Sequence, residues 1–285
     1  MISHDFQYEA PESFDIALDL LSSFGSEAAV LGGGTWLVPN MTYGRHRPKV
    51  VIDPKNLPLR AITRSGDELV LGSRTSYAQV IDSSSVADGA PLLAKMAQQV
   101  TGGPQIVGQG TVGGSACYGN PSSDVPACLV ALGARMILRS KDGTRDVPAS
   151  GFFLAPFVTA KRDDELLSEI RFPITSERAS CAYEKLKFST GSWPIVTANC
   201  IATTSVGSGL HLKIAVGGAN ETPVAYEVVT DTDPSEAELS NIAQRSAPLI
   251  EREWADEFAG SGYRRSVAPA IVRRALREAL GRDRV

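Results

Sequence analysis

The residues of this chain best suited to chemistry stand in two glycine-rich segments. One reads Leu31-Gly32-Gly33-Gly34-Thr35-Trp36. The other reads Gly110-Thr111-Val112-Gly113-Gly114-Ser115, followed by Asn120-Pro121-Ser122-Ser123-Asp124. Glycine has no Cβ, so the backbone can take positive φ and approach a ligand closely. Successive amides in such a turn can point inward as an anion-binding nest. Thr35, Thr111 and Ser115 add hydroxyls. One such loop is equally a tight turn. Two, each at the end of an apolar run, suggest cradles for one long anionic ligand, and a dinucleotide with a central pyrophosphate is the fitting class. On this reading a valine at Gly33 or Gly114 intrudes on the phosphate.

The common phosphate fingerprints are excluded. No lysine precedes Thr35, as a Walker A loop requires. The G-x-G-x-x-G pattern also fails, because Pro39 and Asn40 stand where its helix should run. Asp124 has two readings: a helix N-cap, or a carboxylate accepting hydrogen bonds from ligand hydroxyls such as a ribityl chain.

The elements that must position these loops follow from periodicity. Phe14, Ala17, Leu18 and Leu21 make a helical stripe with Ser13 as cap and Gly25 as stop. Strands are expected at 28–31 and 49–53. Next come a strand at 68–72, helices at 76–81, 90–99 and 126–132, and a hairpin of 135–139 with 145–147 around Asp142-Gly143. A strand is expected at 166–172. The last part reads as strands at 182–187, 199–204 and 210–216, the latter two joined through Val206-Gly207-Ser208-Gly209, then helices at 235–246 and 268–280. This divides the chain into units 1–55, 56–176 and 177–285.

With 285 residues the chain has length for two or three domains. Hydrophobic content of 43%, charged content of 21% and a net charge of −4 give no basic excess for nucleic acid. The first residues show neither a basic nor an apolar signal region, and no apolar run reaches the ~20 residues of a membrane helix. A cytoplasmic location is expected. Cys117, Cys128, Cys181 and Cys200 form no C-x-x-C pair, so each reads as a reduced, buried apolar residue, and no metal site is expected. His4, His46 and His211 read as structural or surface residues. Arg273, Arg274 and Arg277 read as a solvated helix face.

Together these motifs resemble one family: the medium, FAD-binding subunits of the molybdenum hydroxylases, the group of carbon monoxide and xanthine dehydrogenases. The family's A-G-G-x-S-L-L-P is similar to Gly32-Gly33-Gly34-Thr35-Trp36-Leu37-Val38-Pro39 and the residue before it. Its second glycine loop and D-P-x-x-D-x-P are similar to Gly110 to Ser115 and to Asn120 to Pro126. Leu129 to Ala134 continue the likeness. So do Glu165-Leu166-Leu167, Tyr183-Glu184-Lys185-Leu186, Thr190-Gly191-Ser192-Trp193, Gly262-Tyr263-Arg264-Arg265 and Arg273-Arg274-Ala275-Leu276. Departures are Val107 and Gly108 for an arginine and asparagine, Asn120 for aspartate, and Ser192 for aspartate.

The resemblance implies an α+β fold. A two-lobed FAD-binding domain of PCMH type is followed by a C-terminal domain with an antiparallel sheet and helices. Gly32, Gly33, Gly34, Thr35 and Trp36, with Thr111, Val112, Gly113, Gly114 and Ser115, would hold the pyrophosphate. Ser123 and Asp124 would lie near the ribityl chain or its phosphate, Leu167 and Lys185 near adenine or isoalloxazine, and Trp193 over a ring face. The partners implied are a large molybdopterin subunit and a small subunit with two 2Fe–2S clusters, in a dimer of heterotrimers. The absence of cysteine clusters agrees with clusters held elsewhere. Two rivals remain: a self-sufficient flavin oxidase of the vanillyl-alcohol oxidase type, and a non-catalytic nucleotide-binding assembly subunit.

Overall fold

The computed structural model describes residues 2–205 and 209–282. The first unit is small. Strands β1 (Gln7–Glu9), β2 (Ala28–Val30) and β3 (Val50–Ile52) form a parallel sheet in the order β1-β3-β2. Helix α1 (Phe14–Phe24) covers it. Ser13 caps it by accepting from the Ile16 amide at 3.3 Å, and Gly25, at φ 50°, ends it. Its buried stripe, Ala17, Leu18 and Leu21, packs with Val50 and Ile52. That cluster is completed by Leu57, Leu59 and Leu166, which lie beyond the sheet in sequence.

Helix α2 (Leu37–Thr42) forms directly after the first glycine loop, which corrects the expectation that Pro39 and Asn40 bar a helix there. Pro39 occupies the first turn, where an amide has no intrahelical partner to lose.

The second sheet is antiparallel. Its strands are β4 (Ile62–Ser65), β5 (Glu68–Gly72), β6 (Arg135–Ser140), β7 (Gly143–Pro148) and a later one at Leu166–Pro173, with a small hairpin of β8 (Phe153–Ala155) and β9 (Val158–Thr159) before that later strand, β10. The order is β4-β5-β10-β6-β7. Between β5 and β6 run α3 (Tyr77–Asp82), α4 (Ser84–Gly89), α5 (Pro91–Gln98), α6 (Gly103–Gln109), α7 (Val112–Tyr118) and α8 (Val125–Ala131). Leu71, Leu92, Leu93, Met96, Leu129, Phe152 and Phe172 are among the buried residues of their common core. Periodicity foresaw α3, α5, α8 and the hairpin. It missed α4, α6 and α7, because helices of six or seven residues with few apolar side chains carry no stripe long enough to detect.

The third unit is a four-stranded antiparallel meander: β11 (Ala179–Lys187), β12 (Pro194–Ser205), β13 (Gly209–Gly217) and β14 (Val224–Thr230). Helices α9 (Glu236–Gln244), α10 (Ser246–Leu249) and α11 (Tyr263–Ala279) follow. Cys200, Leu212 and Ile214 pack with Ile271, Val272 and Leu276 of α11. Helix α11 starts at Tyr263, ahead of the expected 268, and carries Pro269 buried inside it. The expected link at 206–208 lies outside the described residues.

Candidate functional site

The two glycine loops meet. A Cβ at Gly32 would stand 3.1 Å from Thr111 Oγ1 and 3.7 Å from the Gly114 Cα. Beside the contact opens a cleft of about 670 Å³, lined by Leu31 to Thr35, Val38, Pro39, Arg60, Arg74 and the α6 residues Gln105, Ile106, Gly108 and Gln109. It therefore lies between the first unit and the helices of the second.

The loops contribute differently. In the first, no intrachain acceptor exists among the described residues for the amides of Gly32, Gly33, Gly34, Thr35 or Trp36. Gly34 has φ 74°. Arg74, buried after β5, donates from Nε and Nη2 to the Gly32 carbonyl at 3.3 and 3.2 Å. In a trans peptide the next N–H points opposite to that carbonyl, so Arg74 fixes the direction of the Gly33 amide. Its Nη2 also lies 3.2 Å from Asp53 Oδ1, and Asp53 accepts from the Tyr8 hydroxyl at 2.8 Å. Free amides beside two arginines make a site for a polyanion.

The second loop is not a nest, contrary to the sequence reading. It is the first turn of α7. Val112 N–H donates to Thr75 O at 3.0 Å and Gly113 N–H to Ser73 O at 3.1 Å. Gly114 N–H donates to the capping hydroxyl of Thr111 at 3.1 Å. Three amides are thus already used. The glycines serve close approach instead: a Cβ at Gly113 would fall 2.4 Å from Ser73 O, and one at Gly33 only 1.7 Å from Gln109 O. A side chain at Gly33 therefore meets the end of α6 before it meets any ligand. Val112 and Gly113 are buried; Gly114 is exposed and Ser115 half-buried. Ser115 shares a 2.5 Å hydrogen bond with Tyr77, whose hydroxyl burial pushes well up.

Asp124 begins α8 without capping it; the Ser123 hydroxyl instead accepts from Val125 N–H at 3.4 Å. The Asp124 carboxylate turns toward β11. It accepts from the Tyr183 hydroxyl and from Lys185 Nζ, the latter at 2.9 Å. Lys185 also donates to the Gln99 carbonyl. Burial and the adjacent Asp124 charge hold the Tyr183 hydroxyl far above its usual range, so it stays a donor. Burial lowers Lys185, and Asp124 opposes that. Leu167 packs in the core of the second unit and does not line the cleft.

Asn120 and Ser192, the departures from the family pattern, both serve as local hydrogen-bond acceptors. Asn120 Oδ1 accepts from Ser122 N–H at 3.0 Å. Ser192 Oγ accepts from the amides of Phe188 and Ser189, both at 3.1 Å, and closes the β11–β12 turn. Thr101 ties that turn to the second unit by donating to Ser192 O at 3.3 Å. Trp193, which follows, is 43% exposed with no ring partner among the described residues. Trp36 stacks near Tyr118 at 4.8 Å and His46 at 5.6 Å. The histidines do not line the cleft, and no three-residue metal cluster exists among the described residues. All four cysteines are free.

Sequence reasoning missed Arg60, Arg74 and α6. Arg74 had one legible signal, an arginine two residues past the end of an apolar strand.

Residues 4–175 match the family model described as the FAD binding domain in molybdopterin dehydrogenase. The carbon monoxide dehydrogenase medium chain of Hydrogenophaga pseudoflava is 34% identical over 286 residues, covering 99% of each chain. The nicotine 6-hydroxylase medium subunit of Paenarthrobacter nicotinovorans is 27% identical, covering 96% of each. A solved structure of carbon monoxide dehydrogenase from H. pseudoflava superposes with a TM-score of 0.92 at 32% identity over 100% of both chains.

Proposed function

This chain belongs to the FAD-binding medium subunits of the molybdenum hydroxylases, and from that premise we propose that it is the electron outlet of such a complex. On this reading it takes electrons from 2Fe–2S clusters of a small subunit, after substrate hydroxylation at a molybdopterin centre in a large subunit, and delivers them to an external acceptor. We place it in the cytoplasm, in a dimer of heterotrimers, with unit boundaries near 55 and 176. No described helix is long and apolar enough to cross a membrane.

The observation that carries the reading is the row of free amides from Gly32 to Trp36 beside Arg60 and Arg74. It fits the pyrophosphate of FAD. Arg74 holds the loop, and Thr111, Val112 and Gly113 brace it from the second unit. The exposed Gly114 and the Ser115 hydroxyl would flank the phosphates. Ser123, Asp124 and Lys185 would order the ribityl side, and Leu167 supports that wall from the core. Trp193 would cover one ring face and exclude water from it. The bound flavin supplies the redox chemistry, and the protein sets its position and electrostatics.

The test is the purified complex. It should carry one non-covalent FAD per copy of this chain, and the flavin should bleach when the organic substrate is added anaerobically. A folded complex without flavin absorbance would refute the reading. FAD present but never reduced by substrate would favour an assembly role.

A further inference from the structure

Arg264, at the start of α11, is completely buried. Its Nη1 donates to the carbonyls of Ile195 at 2.6 Å and Gly218 at 2.7 Å, and its Nη2 to Asp256 Oδ1 at 2.5 Å. Its Nε has no partner. Asp256 is a second junction. Its Oδ1 also accepts from the amides of Phe258 and Ala259, at 3.0 and 3.3 Å. Its Oδ2 accepts from the Ser122 hydroxyl at 3.1 Å and from Trp254 Nε1 at 3.2 Å. Gly218 N–H returns to Pro121 O at 3.1 Å.

One guanidinium–carboxylate pair therefore grips two distant segments. The first is the start of β12, where Pro194 and Ile195 follow Trp193. The second is the Asn120-to-Asp124 stretch that opens α8. The two segments converge again on the end of α5. Lys185, which holds Asp124, donates to Gln99 O, and Thr101 donates to Ser192 O.

An ion pair that buries an arginine with an orphaned Nε against a half-buried carboxylate is a poor means of raising stability, because apolar side chains of similar volume often do as well or better. What the planar fork supplies is direction, fixing several acceptors at once. We infer that Arg264 and Asp256 are a positioning pair for the flavin site: they hold the start of the strand after Trp193 and the Ser122–Asp124 segment in fixed relation, so that the ring-covering indole and the ribityl-side carboxylate act on one bound flavin. The inference rests on the proposal above that Trp193 and Asp124 face the bound flavin.

The experiment is a double-mutant cycle on the deflavinated full chain, with FAD affinity read by titration and the flavin absorption band recorded at saturation. Arg264→Lys keeps the charge and loses the fork. It should weaken FAD about tenfold and change the shape of the bound band. In a Trp193→Ala background the same substitution should change affinity clearly less than in wild type, because one of the two groups it positions is gone. Fully additive losses, or an unchanged band in Arg264→Lys, would overturn the inference and leave the pair a fold element. If Arg264→Lys does not fold, Asp256→Asn runs the same cycle with shape preserved and charge removed. The parent reading fails differently. Wild-type chain would then not bind FAD, or Trp193→Ala alone would leave affinity untouched.

Discussion

At the scale of single residues, the glycines are discriminating. A Cβ at Gly33 lands on backbone, whereas one at Gly108 meets nothing within 4 Å. Gly33→Ala should cost about 1–3 kcal/mol through overpacking and deplete bound FAD. Gly108→Ala, inside α6, should be neutral or stabilise by about 0.5–1 kcal/mol, since alanine loses less entropy in a helix. Thermal melts and flavin-to-protein absorbance ratios check both. Equal effects at the two positions would contradict the close-approach account. Glu165 makes a second prediction. Burial alone would raise it, but hydrogen bonds from Arg145 and the Arg162 amide outweigh that and hold it below its usual 4.5. A carboxylate lowered in the folded state stabilises fully above its unfolded value and loses that contribution as pH falls through the folded one. Glu165→Gln should therefore flatten the decline in melting temperature below pH ~4.5. An unchanged acid limb would assign that decline to other carboxylates.

At the scale of elements, legibility followed length and period. Helix α1, the 135–148 hairpin and the long strands of the third unit announced themselves by stripes and turn signals. The glycine loops were legible as a site, yet their division of labour was not. Nothing in Gly110 to Ser115 says that its amides bond to Ser73 and Thr75, because those partners come from a strand end far earlier in the chain. Asp124 was undecidable for the same reason, its partners lying on β11. The β11–β12 turn shows what a single hydroxyl can organise. Ser192→Ala would release the amides of Phe188 and Ser189, a loss of about 1 kcal/mol per bond. It should speed hydrogen exchange at both amides and broaden Trp193 emission. Ser192→Asp, which restores an acceptor, should leave exchange near wild type. Slow exchange in Ser192→Ala would mean the turn is held by its strands alone.

At the scale of the molecule, the cleft exists only where two units are tied together, and Arg74 is the tie that reaches the glycine loop. Arg74→Met would strand the buried Asp53 carboxylate and free the Gly32 carbonyl, at a cost of about 3–5 kcal/mol. It should abolish FAD retention along with that stability. Arg60→Ala, at an exposed cleft arginine, should lower FAD affinity with little change in unfolding. If denaturation curves for the two variants coincide, Arg74 contributes only charge. The core of the first unit carries a consequence for how the protein is made. Its α1 cluster is finished by Leu166, and the Asn120-to-Asp124 segment is anchored by Asp256. During synthesis the first sheet leaves the ribosome long before the leucine that seals it, and Ser122 long before Asp256, its anchor. Contacts so distant in sequence close late. The nascent chain must run past Leu166 before the core beneath the first glycine loop can close, and a chain truncated before that residue is expected to emerge without flavin.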